Sequence, residues 1–117
     1  MSSNQKIIDF NHLNSLTNGD ESFKKELSAI FLNQIPVFIN NMKKYHAHNN
    51  LENLAREAHT AKSSAMIFGM ENTGMLLKEI QLLAENNNVS EIGPALKEVE
   101  KDLLRAKTEL DEILKEY

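Results

Sequence analysis

Four residues in the middle of this chain have types and spacing that core packing does not require. Between Leu51 and Phe68, apolar and small residues recur at helical spacing, and His59, Lys62, Ser63 and Met66 fall together on the outward edge. At about 100° per residue these four stand on adjacent turns of one face. Leu54, Ala55, Ala58 and Ala65 mark the inward side, so His59 sits well off the core centre, half exposed, with Lys62 at the margin. A neutral imidazole is a good nucleophile near pH 7, its ordinary pKa being about 6.5. A phosphoryl group placed on it would bring about −1.5 to −2 of charge. Lys62 is positioned to screen that charge, Ser63 is small enough to admit an incoming group, and a rigid helix limits misalignment in an in-line transfer. The chemistry these residues suit is accepting a phosphoryl group. No nucleotide or metal site is evident beside them, and phosphoryl transfer ordinarily needs a metal clamp. A partner must bring it.

Composition narrows the alternatives. A chain of 117 residues is read as one domain, residues 1–117. The absence of cysteine excludes disulfide-stapled scaffolds, cysteine-ligated metal sites and thiol chemistry. Glycines stand singly at 19, 69, 74 and 93, so no Gly-rich loop cradles a nucleotide and autonomous kinase activity is not expected. Whether such a phosphoryl carrier counts as an enzyme stays open. The net charge of −4 argues against nucleic acid as a partner. The longest apolar stretches, such as Ala29–Leu32 and Ile35–Ile39, are far shorter than the roughly 20 residues that cross a bilayer. No apolar signal-peptide core follows Met1. The expected compartment is the cytoplasm. A start at Met1 and an end in a charged helix favour a free-standing protein over an excised piece of a larger kinase.

The elements that must position the face are helical almost throughout. Phe10, Leu13 and Leu16 predict a short first helix over 9–17, and Asn18-Gly19 a turn tolerant of positive φ. Asp20 is suited to cap a long second helix reaching about Tyr45, with Phe23, Leu27, Ile30, Phe31, Phe38, Met42 and Tyr45 as its apolar stripe. Pro36 predicts a kink, not a break. Asn50 caps the third helix, whose inward set is Leu51, Leu54, Ala55, Ala58, Ala61 and Ala65; the alanines let a neighbour approach closely. The fourth helix runs from about Glu71 to Glu85, with Leu76, Leu77, Ile80, Leu83 and Ala84 inward. The last carries Leu96, Val99, Leu103, Ala106, Leu110, Ile113 and Leu114, and starts either with Ser90 as cap or with Pro94 in its first turn. The simplest assembly is all-α, an antiparallel up-down four-helix bundle with a short extra N-terminal helix covering one end.

The segment Ala58-His59-Thr60-Ala61-Lys62-Ser63-Ser64-Ala65-Met66-Ile67-Phe68-Gly69 resembles the signature of histidine-containing phosphotransfer (HPt) domains, roughly A-H-x-L-K-G-S with a glycine five residues after the serine. Asn18-Gly19-Asp20 followed by Phe23, Leu27, Phe31 and Pro36 is similar to the family's second helix, and Gln81 stands where many members carry a glutamine. The resemblance covers about residues 9–88; the last helix matches in length and amphipathicity only. It implies a two-component phosphorelay intermediate, with His59 passing a phosphoryl group between receiver-domain aspartates. It further implies bonding at Nε2, Lys62 steadying the phosphoryl group, Gln81 orienting the ring, and a glycine slot for close helix packing at Gly69. No resident cofactor is expected; Mg²⁺ comes with the receiver. Partners would be response-regulator receiver domains and a hybrid sensor kinase, met by a monomer through Arg56, Ser63, Met66 and Gly69. Three positions depart from the family pattern. Ala61 replaces leucine, Ser63 replaces glycine, and Glu85 stands where some members have a basic residue, which would weaken phosphate retention if it points that way.

Taken singly, these residues have plainer readings. A lone exposed helix histidine is ordinarily a surface residue, Lys62 a solvated charge and Gln81 an ordinary helix former. Ser64 is expected to bond a backbone carbonyl near the helix end. His12, His46 and His48 lack metal-ligand spacing, and Asp111-Glu112 is solvated helix face. Of Met66, Met70 and Met75, most are expected in the core, and Met66 is the one expected to be exposed. The rival function is a non-catalytic helical adaptor in which the same bundle binds a signalling partner and His59 is incidental.

Overall fold

Capping side chains start three of the helices, and left-handed residues separate them. The computed structural model describes residues 6–116. Helix α1 spans Phe10–Leu16, with the Asp9 carboxylate accepting from the His12 N–H at 3.1 Å. Helix α2 spans Glu21–Ala47, where Asp20 accepts from the Phe23 N–H at 3.0 Å. Helix α3 spans Leu51–Ile67, with Asn50 accepting from the Asn53 N–H at 3.4 Å. Helix α4 spans Glu71–Glu85; a 3-10 turn, Val89–Glu91, leads into α5, Ile92–Leu114. The turn before Asp20 takes φ of 57° at Asn18 and 72° at Gly19, the backbone that Asn and Gly tolerate best.

Both prolines lie within helices. Helix α2 runs on through Pro36, whose missing donor costs one bond in a helix held by its neighbours. Pro94 lies in the first turn of α5, where its N–H would have had no partner in any case. Ser90 falls in the preceding 3-10 turn and gives α5 no side-chain cap. Of the two possible starts for the last helix, the proline one is realised.

Helices α2 to α5 pack each on the next, and α5 closes back on α2, giving the all-α up-down bundle. The α3–α4 interface is the most extensive. Ala55, Ala58, Ala61 and Ala65 are all buried, so the α4 residues Leu77 and Ile80 pack into a core with little bulk contributed by α3. Leu54, Ile35, Met42, Val99, Leu103 and Leu110 fill the rest.

The apolar stripe of α2 departs from expectation. Phe31, Phe38 and Met42 are buried, but Phe23 and Ile30 are 43% and 50% exposed, and Ile35 and Ile39 are buried instead. Phe31, Ile35, Phe38 and Met42 recur at four-, three- and four-residue steps and define the inward line. Ile30 falls about 100° off it. The Phe31 ring stacks on Phe68 at 4.6 Å, joining α2 to the end of α3.

Helix α1 covers one end of the bundle, as expected. Its approach is held by contacts that are distant in sequence. The Asp9 N–H donates to the Phe68 carbonyl at 3.0 Å. The Glu109 carboxylate, 9% exposed on α5, accepts from the N–H groups of Ile7 at 2.8 Å and Ile8 at 3.0 Å. Ile8 and Leu13 are thereby buried.

Candidate functional site

Because the alanines of α3 let α4 approach closely, the exposed edge of α3 faces polar side chains of α4. His59 is exposed near the middle of α3, and its Nδ1 lies 3.3 Å from Oε1 of Gln81 on α4. The Gln81 Nε2 in turn donates to the Glu85 carboxylate at 3.0 Å. His59, Gln81 and Glu85 line an open groove between α3 and α4 together with Leu51, Ala55 and Arg56.

The neighbours of His59 on α3 are held by local bonds. The Ser63 hydroxyl donates to the His59 carbonyl at 3.3 Å, so its oxygen lies against the backbone and leaves the face low. Arg56, one turn before His59, pairs with Glu52 at 3.2 Å, both exposed; such a surface pair is worth little. Lys62 is half-buried and makes no ion pair with a described residue.

Gly74 on α4 supports this edge, a role its place in the sequence does not show. A Cβ there would stand 2.6 Å from the Met66 sulfur and 3.9 Å from Cγ of Lys62. The missing side chain lets Met66 lie close against α4, while Lys62 would meet a Cβ there only in ordinary contact. The available signal was a glycine inside an otherwise good helix, where it costs roughly 0.5–1 kcal/mol relative to alanine.

Other sequence expectations resolve as follows. Met66 is exposed, as expected, at 39%; Met75 is exposed too, at 71%, so of the three only Met70 is core, against the expectation that most would be. The Ser64 hydroxyl donates to the Gln34 side chain of α2 at 3.2 Å, not to a backbone carbonyl, because Ser64 faces the α2 side of α3. Gly69 stands beyond the end of α3, ten residues past His59. Its φ is 68°, and a Cβ there would lie 2.5 Å from Cβ of Asp9 and 3.2 Å from that of His12. It serves the close approach of the N-terminal segment to the end of α3. His12, His46 and His48 join no group of three or more His, Asp or Glu that could hold a metal ion among the described residues. No helix among them is long and apolar enough to cross a membrane.

The family model of the Hpt domain matches residues 26–116. This chain belongs to the Hpt domain family. The match takes in the last helix and leaves α1 outside, whereas the resemblance read from the motifs was strongest over 9–88. None of the curated proteins matches this sequence. Among solved structures, histidine-containing phosphotransfer protein B of Pseudomonas aeruginosa superposes with a TM-score of 0.88 at 15% identity, over 97% of this chain and 98% of that one. The HPT domain of a hybrid sensor histidine kinase from Shewanella superposes with a TM-score of 0.84 at 14% identity, over 95% and 96%. Identity this low speaks for a shared fold. Membership of the Hpt family carries the function, histidine phosphotransfer in a two-component phosphorelay, in company with receiver domains and hybrid kinases.

Proposed function

We propose that His59 is the phosphoryl carrier of this Hpt domain and exchanges the group with receiver-domain aspartates. The observation that carries this reading is the 3.3 Å contact between His59 Nδ1 and Gln81 Oε1. It occupies one ring nitrogen and turns Nε2 toward solvent as the nucleophile. In the step, the Nε2 lone pair attacks the phosphorus of an aspartyl phosphate. The N–P bond forms as the P–O bond to the aspartate breaks, and the carboxylate leaves with the electron pair. The Nδ1 proton stays in place, and the reverse step delivers the group to a second aspartate. No nucleotide or water is consumed. Mg²⁺ brought by the receiver would neutralise charge on the transferring group.

Lys62 acts as the cation that screens the phosphoryl oxygens, and Gln81 orients the ring. Arg56, Ser63 and Met66 form the rim a receiver touches. Exposed Ile67 on α3 extends that rim. So do Ile30 and Val37 on α2, one turn to either side of the Gln34 that Ser64 bonds. The protein acts as a monomer in the cytoplasm. Mixing with a phosphorylated receiver tests the reading. The chain should acquire an alkali-stable, acid-labile label, and His59→Gln should abolish it. Label retained by that variant overturns the assignment of His59.

A further inference from the structure

Glu85 closes the hydrogen-bonded series that begins at His59, and donor–acceptor arithmetic gives it a consequence two residues away. An ionised carboxylate only accepts hydrogen bonds, whereas a glutamine amide has one accepting and one donating end. With Gln81 Nε2 donating to Glu85 at 3.0 Å, the end that reaches His59 at 3.3 Å is Oε1. That oxygen has no hydrogen to give, so the hydrogen between them belongs to His59 Nδ1. A neutral imidazole carries one N–H, so Nε2 is left with a free lone pair.

We infer that Glu85 is a positioning residue that sets the tautomer of His59 by fixing which way the Gln81 amide faces. The inference rests on the reading of His59 as phosphoryl acceptor and adds to it the source of the nucleophilic lone pair. Glu85 makes no ion pair with a described residue, and the nearby Arg56 is held by Glu52. It is also the last residue of α4, where the helix dipole disfavours an anion. Its residue type therefore works against local helix stability while serving the amide one turn earlier. Without it, the amide is free to turn over and present its NH₂ to Nδ1, which stabilises the hydrogen on Nε2 and blocks the nucleophile.

Long-range ¹H–¹⁵N correlation spectra of the ¹⁵N-labelled protein read the tautomer directly. They are recorded well above the ordinary imidazole pKa of about 6.5. The wild type should hold its hydrogen on Nδ1. Glu85→Leu should shift the ratio toward Nε2–H by roughly two- to ten-fold, the size of one exposed hydrogen bond. Glu85→Lys should shift it further, because an ammonium donates to Oε1 and turns the NH₂ to His59. A lysine at a helix C-terminus is favoured by the dipole, so that variant should melt no lower than the wild type. Phosphoryl transfer from a receiver, measured alongside, should fall in proportion to the Nδ1–H fraction. Nε2–H predominating in the wild type, or a ratio unmoved in both variants, overturns the inference. A ratio that follows Glu85 in a protein that accepts no phosphoryl group upholds the inference and refutes the carrier reading instead.

Discussion

Glu109 holds the N-terminal segment to α5, and replacing it should cost stability without touching the phosphotransfer face. Its two oxygens accept from Ile7 and Ile8 at 2.8 and 3.0 Å, and it is 9% exposed. A hydrogen bond to a charged group is worth about 1.5–3 kcal/mol net. In Glu109→Gln one oxygen remains to accept, but the NH₂ meets a second N–H donor, so one bond is lost and the other weakened. The expected loss is about 1.5–3 kcal/mol. Glu109→Ala removes both bonds, to a loss of roughly 3–6 kcal/mol. The ceiling is undocking of the segment, with burial of Ile8 and Leu13 given up at about 1.5–3 kcal/mol each. In a chain of this length each kcal/mol moves the melting temperature by about 4 °C, so Glu109→Gln should melt about 6–12 °C lower. Calorimetry gives the shift, and hydrogen exchange at the Ile7 and Ile8 amides locates it. Phosphoryl transfer to the chain, assayed far below the transition, should be unchanged. A Glu109→Gln melting temperature within about 2 °C of wild type, with both amides equally protected, would refute the reasoning.

Further outcomes follow from other residues. Lys62→Ala should slow phosphoryl transfer while changing stability by less than about 1 kcal/mol, since its side chain is marginal to the core; paired melting curves and transfer rates check both parts. Ala58→Leu should destabilise by about 1–3 kcal/mol, because Ala58 is fully buried in α3; an unchanged urea midpoint contradicts this. Gly69→Ala should lose about 1–2 kcal/mol from its left-handed backbone alone, and more from the overlap with Asp9, read as a lowered melting temperature. Asp102 has its carboxyl raised above 3.8, chiefly by burial and against the pull of the Thr73 hydroxyl. A raised folded pKa adds stability below the unfolded value, and that stability is lost as pH rises through the folded one. Asp102→Asn, still able to accept from Thr73, should therefore melt at or above wild type at pH 7. The advantage should vanish below pH 3.8, the ordinary value for this group.

What the sequence determined by itself are the features built from near neighbours along the chain. Asp20 and Asn50 cap their helices because a short side chain reaches the N–H three residues on. The alanine row of α3 and the His59–Lys62–Ser63 edge follow from helical periodicity alone, and the Hpt resemblance was legible in that edge. Only the tertiary structure decided the rest. Ile35 takes the core and Ile30 the surface because neighbouring helices choose which arc of α2 is buried. Ser64 reaches Gln34, Gly74 clears space for Met66, and Glu109 reaches back across the chain to Ile7 and Ile8. Glu85 lines the groove beside His59, and its carboxylate accepts from Gln81 there. Helical periodicity assigns faces to one helix at a time. The hydrogen-bonded series from His59 through Gln81 to Glu85 depends on the separation and rotation of two helices, which core packing sets.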